Sequence, residues 1–331
     1  MKQEKKKFKL FDLNRDGKGV EEKEDRTPTL KFFFKLCKRK FTQLLQLNLL
    51  MLFLVIPLLV IFFVVEVYGA KTATVTDVLY APLYGISQSA PATSASSLLD
   101  LVGIQMESTL YYTPVMMIVM TIMFLFLAIT FGWQNVGAAY VLRGLVRGDP
   151  VFVLSDYFYA IRRNLKQAFF MGLIDFVCVV VLVVDFLSLS QQTGSNFGVN
   201  VMYFMILAFI LLYVVMRFYI YQLLVTFNLS NLKILKNALI FTVLGIKRNA
   251  LAFLGIVLLI VLHVAIILVS MAYGLSIFLI LPFIYLLGYL GFIGAYAAYP
   301  VIDRYMIAPY AKNDSDSQED SAFSEEAVTE E

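Results

Sequence analysis

Six runs of apolar residues, at about 44–67, 113–139, 168–189, 201–227, 250–270 and 275–299, divide this chain into alternating greasy and polar stretches. Each run has the roughly 20 residues that a bilayer core demands of a spanning helix. The polar gaps between them differ in kind. Bases gather before the first run, between the second and third, and between the fourth and fifth. The alternate gaps are almost free of bases, with Lys71 the one exception. That alternation is what the positive-inside rule requires of a polytopic protein with both ends in the cytoplasm. The pattern predicts an all-α bundle of six transmembrane helices with both ends cytoplasmic.

The basic gaps are themselves patterned. In 149–167, Asp149-Pro150 supplies a cap and a first-turn proline. Leu154, Tyr157, Phe158, Ile161 and Leu165 then recur at helical spacing, with Arg162, Arg163 and Lys166 on other faces. Residues 230–249 repeat the plan, with Ser230 as cap and an apolar series Leu232, Leu235 and Leu239. Both read as amphipathic helices lying along the inner interface. Ile161-Arg162-Arg163-Asn164 resembles Ile246-Lys247-Arg248-Asn249, and Lys38-Arg39-Lys40 enters the first span. Three hairpins, each led by a basic interfacial element, therefore form a weak internal repeat.

Composition agrees with a lipid solvent. The chain is 60% hydrophobic with a mean hydropathy of +0.77, more than a soluble domain of this size can bury. The net charge of +3 conceals segregation: 14 bases fall in the first 40 residues, and eight carboxylates without a base in 314–331. The expected organisation is a flexible basic segment 1–43, a membrane domain 44–305 with an outer loop 68–112, and an acidic disordered tail 306–331. Within the loop, Ser97 and Asp100 form a candidate capping box.

Candidate chemistry is sparse. Asp175 and Asp185 in the third run, Arg217 in the fourth and His263 in the fifth are ionisable groups inside the membrane, where each is costly. At 1.5 Å per residue, Asp175 lies about 12 Å and Arg217 about 15 Å from the inner ends of adjacent antiparallel spans. They are positioned to pair, and a structural ion pair is the favoured expectation over a proton or substrate path. Asp185 stands near the outer interface, and His263 is expected to be a packing histidine. A single histidine and two separated cysteines, Cys37 and Cys178, leave no metal-ligand set. Phosphate-binding loops, dinucleotide fingerprints and nucleophile elbows are absent from the sequence. Asp12, Asn14, Asp16 and Gly17 match half of a calcium loop, but Lys23 stands where its closing Glu belongs. The expectation is a non-enzymatic protein without a cofactor. Pro282 predicts a kink in the last run. Its small residues, Gly288, Gly291, Gly294, Ala295, Ala297 and Ala298, form close-packing faces. They serve intramolecular contacts by preference, or a homo-oligomer seam through Gly291, Gly294, Ala295 and Ala298.

The stretch YVLRGLVRGDPVFVLSDYFYAIRRNLKQAFFMGLID at 140–175 resembles the YesL-like family of small bacterial integral membrane proteins. So do LSNLKILKNALIF after the fourth run, and FKLFDLNRDGKGVEE followed by QLNLL near the start, as in the longer clostridial-type members. Members are often encoded beside carbohydrate-uptake genes, so the resemblance implies an accessory role in sugar import or its sensing, with a carbohydrate transporter as partner. The family supplies no catalytic residues, and the chain departs from it in the long segment 68–112. Arg143, Arg147, Arg162, Arg163, Lys247 and Arg248 are the expected docking bases on the inner face. A small-solute or ion transporter with a polar path through Asp175, Arg217 and His263 is the alternative, and nucleic-acid binding is not expected.

Overall fold

A computed structural model of the protein describes residues 27–68, 70–75, 106–194, 196–275 and 281–310. The half calcium loop, the Ser97–Asp100 box and the acidic tail from 311 lie outside those residues. The chain divides into two compact units. The first, ending at Arg39, contributes one described helix, α1 (Leu30–Arg39), which closes on Lys38 and Arg39. Cations there complement the negative end of the helix dipole.

The second unit starts at Lys40 and carries the membrane domain. α2 (Phe41–Tyr68) leads through a two-stranded antiparallel ribbon, β1 (Ala70–Val75) and β2 (Met106–Tyr111), into α3 (Pro114–Arg147). The ribbon pairs Ala70 with Tyr111 and Val75 with Met106, joining the two ends of the long outer connection. α4 (Val153–Arg163), α5 (Leu165–Ser190) and α6 (Phe197–Thr226) follow, then α7 (Asn231–Leu244), α8 (Ile246–Ala272) and α9 (Leu281–Ile302). Six of these helices, α2, α3, α5, α6, α8 and α9, are long and apolar enough to cross a membrane. The protein is a multi-pass membrane helix bundle.

The repeat is visible in the order of elements: a short helix, a one-residue break, then two long helices. The breaks fall at Lys40, Asn164 and Gly245. The sequence alignment of the third repeat needs correction, however. Asn164 sits at its break, whereas Asn249 lies inside α8, past the break at Gly245. The helix starts also differ from the sequence reading. α4 begins at Val153, not at Pro150, and Asp156 in its first turn accepts from the Phe152 N–H at 2.8 Å. Asp149 instead follows the left-handed Gly148 (φ 80°) that ends α3, with its N–H returned to the Gly144 carbonyl at 3.0 Å. Gly tolerates that conformation, and the reversal closes the helix. Ser230 does precede α7 but makes no side-chain cap bond.

The short helices turn one set of apolar residues into the bundle and another outward. α4 buries Val153, Tyr157 and Ala160 and leaves Leu154 and Phe158 exposed, as is Leu165 at the start of α5. α7 buries Ile234, Ala238 and Phe241 and leaves Leu232 and Leu239 exposed. Beside a membrane, both the bundle and the lipid are apolar, so an apolar stripe does not say which it meets. The inward Tyr157 ring lies over Gly137 of α3, where an added Cβ would stand 2.7 Å from it. Burial raises its hydroxyl above the ordinary phenol range, so it stays neutral.

α3 is the centre of the bundle, packed against α2, α4, α5, α6 and α9. Its crossing with α5 is made backbone on backbone. A Cβ on Gly172 would lie 2.2 Å from the Gly132 Cα, and one on Gly132 would lie 1.9 Å from the Ala168 carbonyl oxygen. Small residues permit such approaches, and the close packing replaces the hydrophobic drive that lipid removes. Pro282 occupies the first turn of α9, where its missing N–H is harmless. The irregularity comes at the other end, where Pro300 precedes a wide π turn at Asp303–Ile307.

Candidate functional site

Asp175 and Arg217 meet as their depths require. Asp175 is 1% exposed, and the Arg217 Nε lies 3.1 Å from its carboxylate. Two hydroxyls complete the set: Tyr213 donates to Oδ1 at 2.8 Å and Tyr221 to Oδ2 at 2.6 Å. Tyr213, Arg217 and Tyr221 recur every fourth residue, so one stripe of α6 delivers all three donors to one acid on α5. The Arg217 guanidinium also lies over the Phe131 ring of α3, 5.3 Å from its centroid. The charge is thus neutralised, hydrogen-bonded and shielded on an aromatic face, the conditions under which a buried ion pair is tolerated. The two tyrosines escaped the sequence reading, although their spacing about Arg217 was the available signal.

His263 is 3% exposed, and its Nδ1 lies 2.9 Å from the Tyr285 hydroxyl of α9. The rings meet edge to face at 5.6 Å, and Nε2 is buried without a hydrogen-bond partner among the described residues. It lies on a different helix pair from Asp175. Asp185 is exposed on α5, ten residues beyond Asp175. The three groups foreseen for a polar path therefore do not form one cluster.

No protein family, curated protein or solved structure matches the chain. The residues themselves must carry the argument.

The candidate docking bases separate into two groups. Arg143 turns inward and donates to the Val225 carbonyl at 2.8 Å and the Thr226 hydroxyl at 3.1 Å, supplying the last turn of α6 with the cation and donor it lacks. Arg248 approaches the Tyr296 carbonyl at 3.4 Å, which Pro300, four residues on, cannot bond. Arg147 pairs with Asp149 at 3.2 Å in a half-exposed bridge. Arg162, Arg163 and Lys247 remain exposed.

Asn249, beside these bases, is 2% exposed and was not singled out by the sequence. It accepts from the Tyr219 hydroxyl at 2.7 Å and donates to the Thr242 carbonyl at 3.0 Å. Gly245 makes room for this knot, since a Cβ there would lie 2.4 Å from the Tyr219 oxygen. Asn48 does the same work for α2 and α9, donating to the Phe283 carbonyl at 2.6 Å and accepting from the Gly288 N–H at 3.0 Å. The small residues of α9 face their own chain: Gly288 meets α2, Gly291 meets Leu142 of α3 and Gly294 meets Phe218 of α6. Ala295 and Ala298 are 2% and 0% exposed. Among the described residues, no group of acids, histidines and cysteines is arranged to hold a metal ion.

Proposed function

We propose that the protein is a non-enzymatic membrane accessory or scaffold protein whose basic end docks a membrane or cytosolic partner. The observation that carries this reading is the saturation of Asp175 by three donors from one stripe of α6. An acid so occupied serves to hold α5 against α6. A transporter that worked through it would have to break that set in each cycle. The breaks in the described helices also sit at the basic end, at Lys40, Asn164 and Gly245, whereas transport sites favour broken helices at mid-depth. Exposed Lys233, Lys236 and Lys247 supply a docking face. The link to carbohydrate uptake or its sensing, and the placement in a bacterial cytoplasmic membrane, rest on the YesL-like resemblance together with the charge pattern.

Crosslinking in native membranes followed by purification of the full chain tests this. The expected result is a transporter, ATPase or sensor component joined through the α7–α8 bases, with the adduct lost on charge removal there. Solute flux by the purified chain alone in proteoliposomes would overturn the reading.

A further inference from the structure

Where α4 gives way to α5, a cleft of about 580 Å³ opens between that junction and the C-terminal end of α6. Arg162, Arg163 and Lys166 line it, with Gln167, Thr226 and Asn228, and no carboxylate is among the lining residues. The three bases are exposed and make no ion pair among the described residues. Like charges crowded into one cleft repel one another until an anion enters. The first turn of α5, Leu165 to Gln167, forms part of the wall, and the positive end of that helix's dipole adds to the same preference.

The surroundings specify which anion. Charge alone would suit any phosphate, but the cleft adjoins exposed apolar surface. Phe170, one turn beyond Lys166 on the same face of α5, is 58% exposed, and Leu165 on the rim is 47% exposed. On α4, Phe158 and Tyr159, one turn before Arg162 and Arg163, are 45% and 50% exposed. A soluble anion makes no use of these side chains, whereas an acyl chain running down α5 does. The positive-inside pattern also sets this end of the bundle at the headgroup layer, where basic pockets between spans receive anionic headgroups. We infer that the cleft binds the phosphate headgroup of an anionic phospholipid, with its acyl chains running along the Lys166–Phe170 face of α5. Lys233, Lys236 and Lys247 of α7–α8 are not among the residues that line it.

The chain's single tryptophan provides the readout. Trp133 donates its indole N–H to the Leu165 carbonyl at 2.9 Å, on the wall of the cleft. The full chain is reconstituted in vesicles of brominated phosphatidylglycerol or brominated phosphatidylcholine diluted in unlabelled phosphatidylcholine, and Trp133 quenching is compared. The expected preference for the anionic lipid is about five-fold, the effect of one base at a membrane surface. Replacing Arg162, Arg163 and Lys166 together with Gln should abolish it, while replacing Lys233, Lys236 and Lys247 with Gln should leave it intact. Circular dichroism of each variant establishes that the helices persist. Equal quenching by both lipids in the unmodified chain overturns the inference, as does preference surviving in the cleft variant or lost equally in the other. Loss of preference on adding millimolar glycerol 1-phosphate assigns the cleft to a soluble phosphate and also overturns it. None of these arms measures a protein partner, so their failure is separable from failure of the accessory reading.

Discussion

The two halves of the bundle are built on different principles. In the basic half, buried side chains are dense: Ala168 to Phe176 in α5, Val215 to Val225 in α6, and Gly288 to Ile302 in α9 supply most of them. Side chains there also reach across to backbone carbonyls, from Arg143 to Val225 and from Gln167 to Leu229, for example. In the other half, α5 has no buried residue after Phe176 and α6 none before Val215 among the described residues. Each of the six long helices crosses both halves, and all six are apolar enough to cross a membrane. Apolarity therefore keeps a helix in the membrane without deciding what it touches. Specific contact comes from glycines that admit a neighbouring backbone and from polar groups that need a partner in a solvent without water.

The sharpest test of that contrast is the acid at its boundary. Asp175→Asn should cost about 3 kcal/mol, because Arg217 is left buried without its counter-charge. Unfolding of the purified chain in mixed micelles measures it. Replacing Arg217 with Gln as well should restore at least about 1 kcal/mol, since paired groups are not additive. A double variant as damaged as the two single changes summed would dispose of the ion pair as a structural unit. Next in size is Gly172→Leu, expected to cost about 2–3 kcal/mol by forcing α5 away from α3. Its control is Gly255→Ala on α8, where the added Cβ meets only Ile293 at 3.9 Å, and stability should hold within about 0.5 kcal/mol. Similar losses at both positions would mean that glycine acts here through helix propensity and not through contact.

Asn249→Ala comes third. It removes the acceptor of Tyr219 and the donor to Thr242 in one step. Hydrogen bonds in membranes contribute about 0.6 kcal/mol each on average, so a loss of about 1–2 kcal/mol is expected. Asn249→Asp, which keeps the acceptor and loses the amide donor, should fall between.

How much of this could be read from the sequence follows the same division. The six spans were legible because run length alone separates a membrane helix from a loop. Their ends were not. α3 was expected to finish at 139 but continues to Arg147, because helix geometry persists where hydropathy falls. Asp175 and Arg217 could be paired by counting depth along adjacent spans. Tyr285 could not be assigned to His263, since nothing local to α8 fixes which turn of α9 faces it. The ribbon at 70–75 and 106–111 was likewise hidden, as its strands are far apart in sequence and short. The stripes of α4 and α7 did not show which apolar residues turn into the bundle, because lipid and protein interior select the same residue types.

The smallest expected effect tests the other half of the contrast. Val183 on α5 is 49% exposed and Phe204 on α6 is 67% exposed, far from the buried cluster. If that surface meets only lipid, Val183→Ala and Phe204→Leu should each change unfolding stability by less than about 0.5 kcal/mol, because the replaced atoms exchange one apolar contact for another. The same variants in native membranes should then leave the protein's abundance unchanged. A loss of about 1 kcal/mol or more in native membranes, absent from purified protein in micelles, would mean that this half is covered by another protein. The lipid-facing assignment would then fail for those helices, and the sparse burial there would mark a second interface distinct from the basic end.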